Sequence, residues 1–261
     1  MSSVASSATS PRTSEHMSSR PSIIVENVRK TFLIRHSHSM KEAVVGKIRG
    51  RKVGSTPFQA LDDISFTVNE GESVALLGHN GSGKSTMLKL ISGVLEPNAG
   101  RVLVRGRLAG LIEVGAGFHP DLSGRENVYL NGAILGMTEK ETDERFEDIV
   151  EFSGIREFID QEVKHYSSGM FMRLAFSVAI HTELDILLVD EVLSVGDAPF
   201  REKCTQKIES LSKQGKTMVV VSHSAGTVKE LCQRGIVLRK GKMIFDGPID
   251  EALEVHKEKN K

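Results

Sequence analysis

The sequence predicts an α/β fold built on a mostly parallel sheet, and three observations carry that reading. From Ser22 onward, β-rich and helix-patterned segments alternate, the order expected of strands joined by crossover helices. Two aliphatic runs, in "DILLVDE" and "KTMVVVSH", are unbroken rather than alternating, as befits strands covered on both faces. Between a third apolar run, Ser73–Leu77, and a helix pattern lies the glycine loop "GHNGSGKST".

Taken in order, "SIIVENV" and "ISFTVNEGE" read as strands, and "SVALLGHNGSGKSTMLKLISGV" as strand, loop and helix. Between about Pro120 and Thr182 strand signals vanish and helical periodicity dominates "GRENVYLNGAILG", "EKETDERFEDIVEFSG" and "SSGMFMRLAFSVAI". This predicts a helical lobe, residues 120–182, inserted into the α/β core. "GIVLRKGKMIFDG" predicts a hairpin turning at Lys240-Gly241-Lys242, an antiparallel addition near the end of the sheet, with a charged helix over residues 248–261. The Ser-rich residues 1–21 read as a disordered tail without the apolar core of a secretory signal.

The 261 residues are 39% hydrophobic and 26% charged, enough to bury a core for one domain with a modest second lobe. Formal net charge is zero, which speaks against nucleic acid as a partner. Cys204 and Cys232 lack metal-ligand spacing and read as reduced thiols in a cytosolic chain. No run approaches the length needed to cross a bilayer, so work at a membrane would go through a partner.

Gly78-His79-Asn80-Gly81-Ser82-Gly83-Lys84-Ser85-Thr86 fits G-x-x-x-x-G-K-[ST], after a strand and opening a helix. Its glycines let successive N–H groups point inward at phosphates, and the helix N-terminus adds a dipole favourable to anions. Lys84 is expected to reach the β- and γ-phosphates of ATP, and Ser85 to place its hydroxyl on Mg²⁺. An acid at the end of a neighbouring strand completes such a site. "ILLVDE" supplies Asp190 to hold the metal through water and Glu191 to orient or deprotonate the attacking water. His223 ends the "VVVSH" strand, within reach of a γ-phosphate by position, although a lone histidine at a strand end is more often structural.

"YSSGM" places Ser167, Ser168 and Gly169 at a second helix N-terminus, an anion site by the same physics. One nucleotide already has its cradle, so the second site makes best sense closing on the nucleotide of another copy across a two-fold interface.

The set "GHNGSGKST", "YSSGM", "ILLVDE", "SVGD" and His223, in that order and spacing, resembles ATP-binding cassette (ABC) ATPases from about Ile23 to Gly247. The resemblance implies a phosphate-loop nucleoside-triphosphatase fold of ABC type, over residues 22–247. Its parts are a mostly parallel core sheet, an antiparallel β subdomain and an inserted helical subdomain. Ser167, Ser168 and Gly169 then stand where the family signature meets the opposite subunit's nucleotide. Asp197 stands as the D-loop acid, Glu191 as the catalytic carboxylate and His223 as the switch histidine. Phe32 matches the adenine-stacking aromatic, and Glu113 stands where the metal-contacting Q-loop glutamine is usual. Ser168 and Met170 depart from the family's Gly and Gln.

"EVGAGFHPDLSGRENVYLNG", "YSSGM" and "DEVLSVGD" together resemble the ATP-binding subunits that export lipid-linked polysaccharides such as O-antigen, teichoic-acid and galactan precursors. This implies a homodimer under two copies of a membrane permease, peripheral on the cytoplasmic face of the cytoplasmic membrane, moving a polyprenyl-linked glycan outward. Met40, Val44 and Ile48, with Lys41, Lys47, Arg49, Arg51 and Lys52 alongside, form either a short basic amphipathic pattern suited to a membrane surface or phosphate-bearing head group, or a solvated basic loop, since Gly46 and Gly50 weaken a helix. An end at Lys261 leaves no room for a C-terminal sugar-recognition domain. Within the family, export of a lipid, peptide or drug is the nearest alternative. A soluble ABC ATPase acting on DNA or ribosomes would call for long coiled coils or a second cassette, and a phosphate-loop kinase leaves "YSSGM" and His223 unexplained.

Overall fold

The computed structural model describes residues 20–35, 55–111, 114–190, 196–222 and 224–258. In chain order the first elements are β1 (Pro21–Arg35), β2 (Ser55–Asn69), β3 (Ser73–Leu77), α1 (Lys84–Ile91), β4 (Ala99–Val104) and β5 (Leu108–Gly110). Three helices follow, α2 (Gly124–Ile134), α3 (Glu139–Ser153) and α4 (Ser168–His181). The chain then alternates through β6 (Ile186–Val189), α5 (Ala198–Lys213), β7 (Thr217–Val220), α6 (Ala225–Leu231), β8 (Arg234–Arg239), β9 (Lys242–Pro248) and α7 (Ile249–Lys257).

A six-stranded sheet has the order β5-β6-β7-β3-β8-β9, parallel throughout except for the antiparallel edge strand β9. A three-stranded antiparallel sheet has the order β2-β1-β4. Every residue of β3, β6 and β7 is buried, which is why their sequences are unbroken aliphatic runs. The pleat sends alternate side chains to opposite cores. Ala75, Leu77, Leu187, Val189, Met218 and Val220 pack with Phe176 of α4 and Phe200 of α5. Val74, Leu76, Leu188 and Val219 pack with Met87 and Leu88 of α1 and with Ile23, Leu61 and Ile64 of the antiparallel sheet.

The helical segment has its own core, in which Val128, Phe146, Ile149 and Val150 meet Leu174 and Val178. Helix α4 is shared, since Phe176, Ala179 and Ile180 of the same helix enter the sheet core. Residues 174–180 are buried without a break, as a helix wedged between two cores must be. "SGRE" and "TEKE" each fit S/T-x-x-E, and both form capping boxes, Ser123 with Glu126 and Thr138 with Glu141.

The hairpin lies where the sequence predicts it. Arg239 pairs with Lys242, so Lys240 and Gly241 are the two turn residues, with φ of 49° and 77°, as a type I′ turn requires. At the other end of the chain the ladder is longer than the sequence suggests. Leu33, Ile34 and Arg35 of β1 pair with Pro57, Thr56 and Ser55 of β2, so both ends of the stretch between Phe32 and Phe58 are strand. The basic pattern from Met40 to Lys52 lies outside the described residues. Cys204 and Cys232 are buried free thiols, and burial pushes both up to about 12, leaving them protonated and inert.

A phosphate cradle at the carboxyl ends of β3 and β6

In parallel sheets ligands bind beyond the carboxyl ends of the strands, and the site lies there. Strand β3 runs into the loop Gly78–Gly83, which opens α1. Gly83 stands at the N-cap with φ 110° and no side-chain cap. A Cβ at that position would lie 2.6 Å from Leu61 Cδ2 and 2.8 Å from the Ala60 carbonyl oxygen, so the close turn requires glycine. By contrast, Ser123, Thr138, Ser167, Asp197 and Ser224 cap α2, α3, α4, α5 and α6.

A pocket of about 390 Å³ opens there, lined by Phe58, Ala60, Asn80, Gly81, Gly83, Lys84, Ser85, Thr86 and Asp190. Lys84 is buried, and its Nζ donates to the carbonyls of Gly78 at 2.7 Å and His79 at 3.3 Å. Ser82 is 4% exposed, and its buried Oγ has no hydrogen-bond partner among the described residues. Asp190 follows β6 directly and joins Ser85 in the lining, one strand removed from the loop because β7 lies between β6 and β3. The arrangement offers one amine, two hydroxyls and a carboxylate around a helix N-terminus. That donor set fits a phosphate chain, and the oxygens of Ser85 and Asp190 suit a hard divalent cation.

Apart from Phe32, the remaining sequence-predicted residues fall into three groups. Gly78, His79 and Ser82 form the back of the loop rather than its lining; the His79 ring instead packs on His256 of α7, centroids 5.0 Å apart. Ser167, Ser168, Gly169 and Asp197 lie outside the pocket lining. Ser167 is a helix cap whose Oγ accepts from Met170 N at 3.2 Å, and Asp197 caps α5 by accepting from Phe200 N at 3.3 Å. Beside them the Tyr166 hydroxyl donates to Phe158 O at 2.8 Å, and burial pushes this phenol up to about 12. Glu113, Glu191 and His223 lie outside the described residues.

Sequence reasoning missed Phe58. It is the cross-strand partner of Phe32, and it is Phe58 that lines the pocket, 47% exposed. Phe32 is half-buried, absent from the lining, with the Lys30 ammonium 5.3 Å from its ring centre. The available signal was an aromatic in "TPFQAL", within the strand that buttresses the loop.

Fold and site together define a phosphate-loop nucleotide-binding domain. The chain belongs to the ABC transporter family, whose sequence pattern matches residues 61–194, and it is accordingly an ATP-binding, ATP-hydrolysing cassette. It is similar to the ABC transporter protein AbcA of Aeromonas salmonicida, 46% identical over 88% of this chain and 73% of that protein. The O-antigen export system ATP-binding protein RfbB of Klebsiella pneumoniae is 46% identical over 81% of this chain and 84% of its own length. The teichoic acids export ATP-binding protein TagH of Listeria monocytogenes is 44% identical over 77% of this chain and 60% of its own. Among solved structures, the ATP-binding cassette MJ0796 in a dimeric post-hydrolysis state with ADP and Pi superposes with a TM-score of 0.67 at 24% identity. It covers 87% of this chain and 98% of that one, a likeness of fold.

Proposed function

We propose that this chain is the ATP-hydrolysing subunit of an exporter that carries a lipid-linked polysaccharide outward across the cytoplasmic membrane. The observation that carries the reading is its 46% identity to an O-antigen export ATP-binding protein over 84% of that protein. No helix among the described residues is long and apolar enough to cross a membrane. The reading therefore assigns passage of the substrate to a permease and the energy supply to this chain, peripheral on the cytoplasmic face. Residues 22–247 would form the cassette with residues 120–182 as its helical subdomain, flanked by the tail 1–21 and the segment 248–261.

Within the site, Lys84 turns from the loop carbonyls to the β- and γ-phosphates, and the first turn of α1 faces the same charge. Ser85 and Asp190 would hold Mg²⁺, with Glu113 a further oxygen ligand; bound there, the metal supplies neutralisation of phosphate charge. Phe58, with Phe32 as its cross-strand partner, stacks on the base. Glu191 orients the attacking water and His223 touches the γ-phosphate.

Ser167, Ser168, Gly169 and Asp197 do not reach the pocket of their own chain. A homodimer resolves this, with the N-terminus of α4 in one copy closing on the nucleotide of the other. The solved MJ0796 cassettes, described as dimeric, support that arrangement. ATP then joins the two copies and hydrolysis releases them, which couples chemistry to motion.

The test is to isolate the tagged chain from gently solubilised membranes of its host. A polytopic membrane protein recovered at a one-to-one ratio, with lipid-linked glycan accumulating in cells that lack the chain, is the expected result. Recovery on ribosomes or DNA instead would overturn the exporter reading.

A further inference from the structure

The phosphate loop is gripped from outside the pocket by two elements that the hydrolysis chemistry does not use. Helix α7 buries Ile249, Ala252 and Leu253 against the sheet core. His256 follows Ala252 by four residues and Leu253 by three, so it shares their inward face. There its ring meets that of His79, centroids 5.0 Å apart and planes tilted by 36°.

The hairpin makes the second grip. Arg239, at the end of β8, donates through Nη2 to the carbonyls of Val255 at 3.2 Å and Glu258 at 3.1 Å. Val255 lies in the last turn of α7 and Glu258 caps it, where carbonyls without a partner in the helix favour a cation. Two residues beyond Arg239, the Gly241 N–H donates to the Ser82 carbonyl at 3.0 Å. Loop, hairpin and helix thus close a ring of contacts through His79, Ser82, Gly241, Arg239 and His256. His79 contributes no atom to the pocket lining, so its packing on α7 serves the loop's position.

We propose that His256 is a positioning residue for the phosphate loop, and that nucleotide binding at the loop is linked to docking of the C-terminal half of α7. The inference rests on the loop being the ATP site. Linkage is reciprocal: whatever α7 adds to nucleotide affinity, bound nucleotide returns as tighter docking of α7. A molecule that engages α7 would thereby alter ATP affinity without entering the pocket.

The experiment titrates the full chain with a non-hydrolysable ATP analogue and follows amide hydrogen exchange over residues 249–258 with and without it. Wild type, His256→Ala and His256→Phe are compared. In wild type the analogue slows exchange in α7. His256→Ala weakens binding by about 5-fold or more, raises KM for ATP with kcat retained, and loses the nucleotide-dependent slowing. His256→Phe keeps a ring on His79 and restores both. Equal affinity in the Ala variant, or α7 exchange in wild type that ignores bound analogue, overturns the proposal. Wild type that binds no analogue overturns the ATP site and the proposal together, whereas binding that His256→Ala leaves untouched removes only the proposal. Should His256→Ala not fold, the wild-type exchange measurement still decides.

Discussion

The backbone N–H of Gly241 donates to the carbonyl of Ser82 at 3.0 Å, so the tip of an edge hairpin holds the back of the phosphate loop. The same residue's carbonyl accepts from Asp62 N at 2.7 Å, which ties the tip to β2 as well. At Gly241, φ is +77° and an added Cβ would lie 2.7 Å from the Ala60 carbonyl oxygen. Gly241→Ala is expected to destabilise the fold by about 1–3 kcal/mol and to weaken nucleotide binding. Gly215 has the same φ with open space around it, so Gly215→Ala is the control that lowers stability and spares affinity. Urea denaturation and nucleotide titration of both variants check the pair.

Phe58 lines the pocket and Phe32 is its cross-strand partner. Phe58→Ala is expected to cost about 1–3 kcal/mol of nucleotide affinity, the usual worth of an aromatic stacked on a base. Phe32→Ala is expected to cost less, through looser support of its partner. Titration with a fluorescent ATP analogue ranks them, and the reverse order would return the stacking role to Phe32.

The buried Lys84 amine is anchored by the carbonyls of Gly78 and His79. Lys84→Ala is expected to weaken ATP binding by about tenfold or more, since a charge-assisted contact to phosphate is lost (about 1.5–3 kcal/mol). Unchanged affinity in a calorimetric titration would contradict the assignment of the loop.

Glu141 is the acid of a capping box and also faces Arg107. Hydrogen bonds from the Thr138 backbone, Arg107 and the Thr138 hydroxyl hold its carboxyl down at about 2. Because the folded value is depressed, the stabilisation is present above the ordinary carboxylate range and is lost as pH falls from there toward about 2. Glu141→Gln is therefore expected to flatten that part of the stability curve. Urea midpoints of both proteins, measured from neutral pH downward, should converge as the carboxylate protonates.

Much of this was legible in the sequence because burial and motif coincide. The aliphatic runs of β3, β6 and β7 are buried on both faces, and the loop at Gly78 is recognisable from its glycines, Lys84 and Ser85 alone. Asp190 was found from its place at a strand end, and the tip at Lys240-Gly241 from its composition. Strand β4 was not legible, since "AGRVLV" is almost wholly exposed or half-exposed and carries no period. Phe58 and Phe32 face each other across a ladder whose register the sequence does not print. His79 and His256 lie far apart in the chain, and only the packing of α7 on β8 brings them together.

If two copies share each nucleotide, ATP that cannot be hydrolysed should hold them together. Glu191→Gln is expected to stop turnover while leaving ATP bound, so the decisive measurement is sedimentation of that variant with ATP and Mg²⁺. A stable species of twice the chain mass is expected, reverting to monomer when Ser168→Arg is added at the N-terminus of α4. A Glu191→Gln protein that binds ATP and stays monomeric would contradict that sharing.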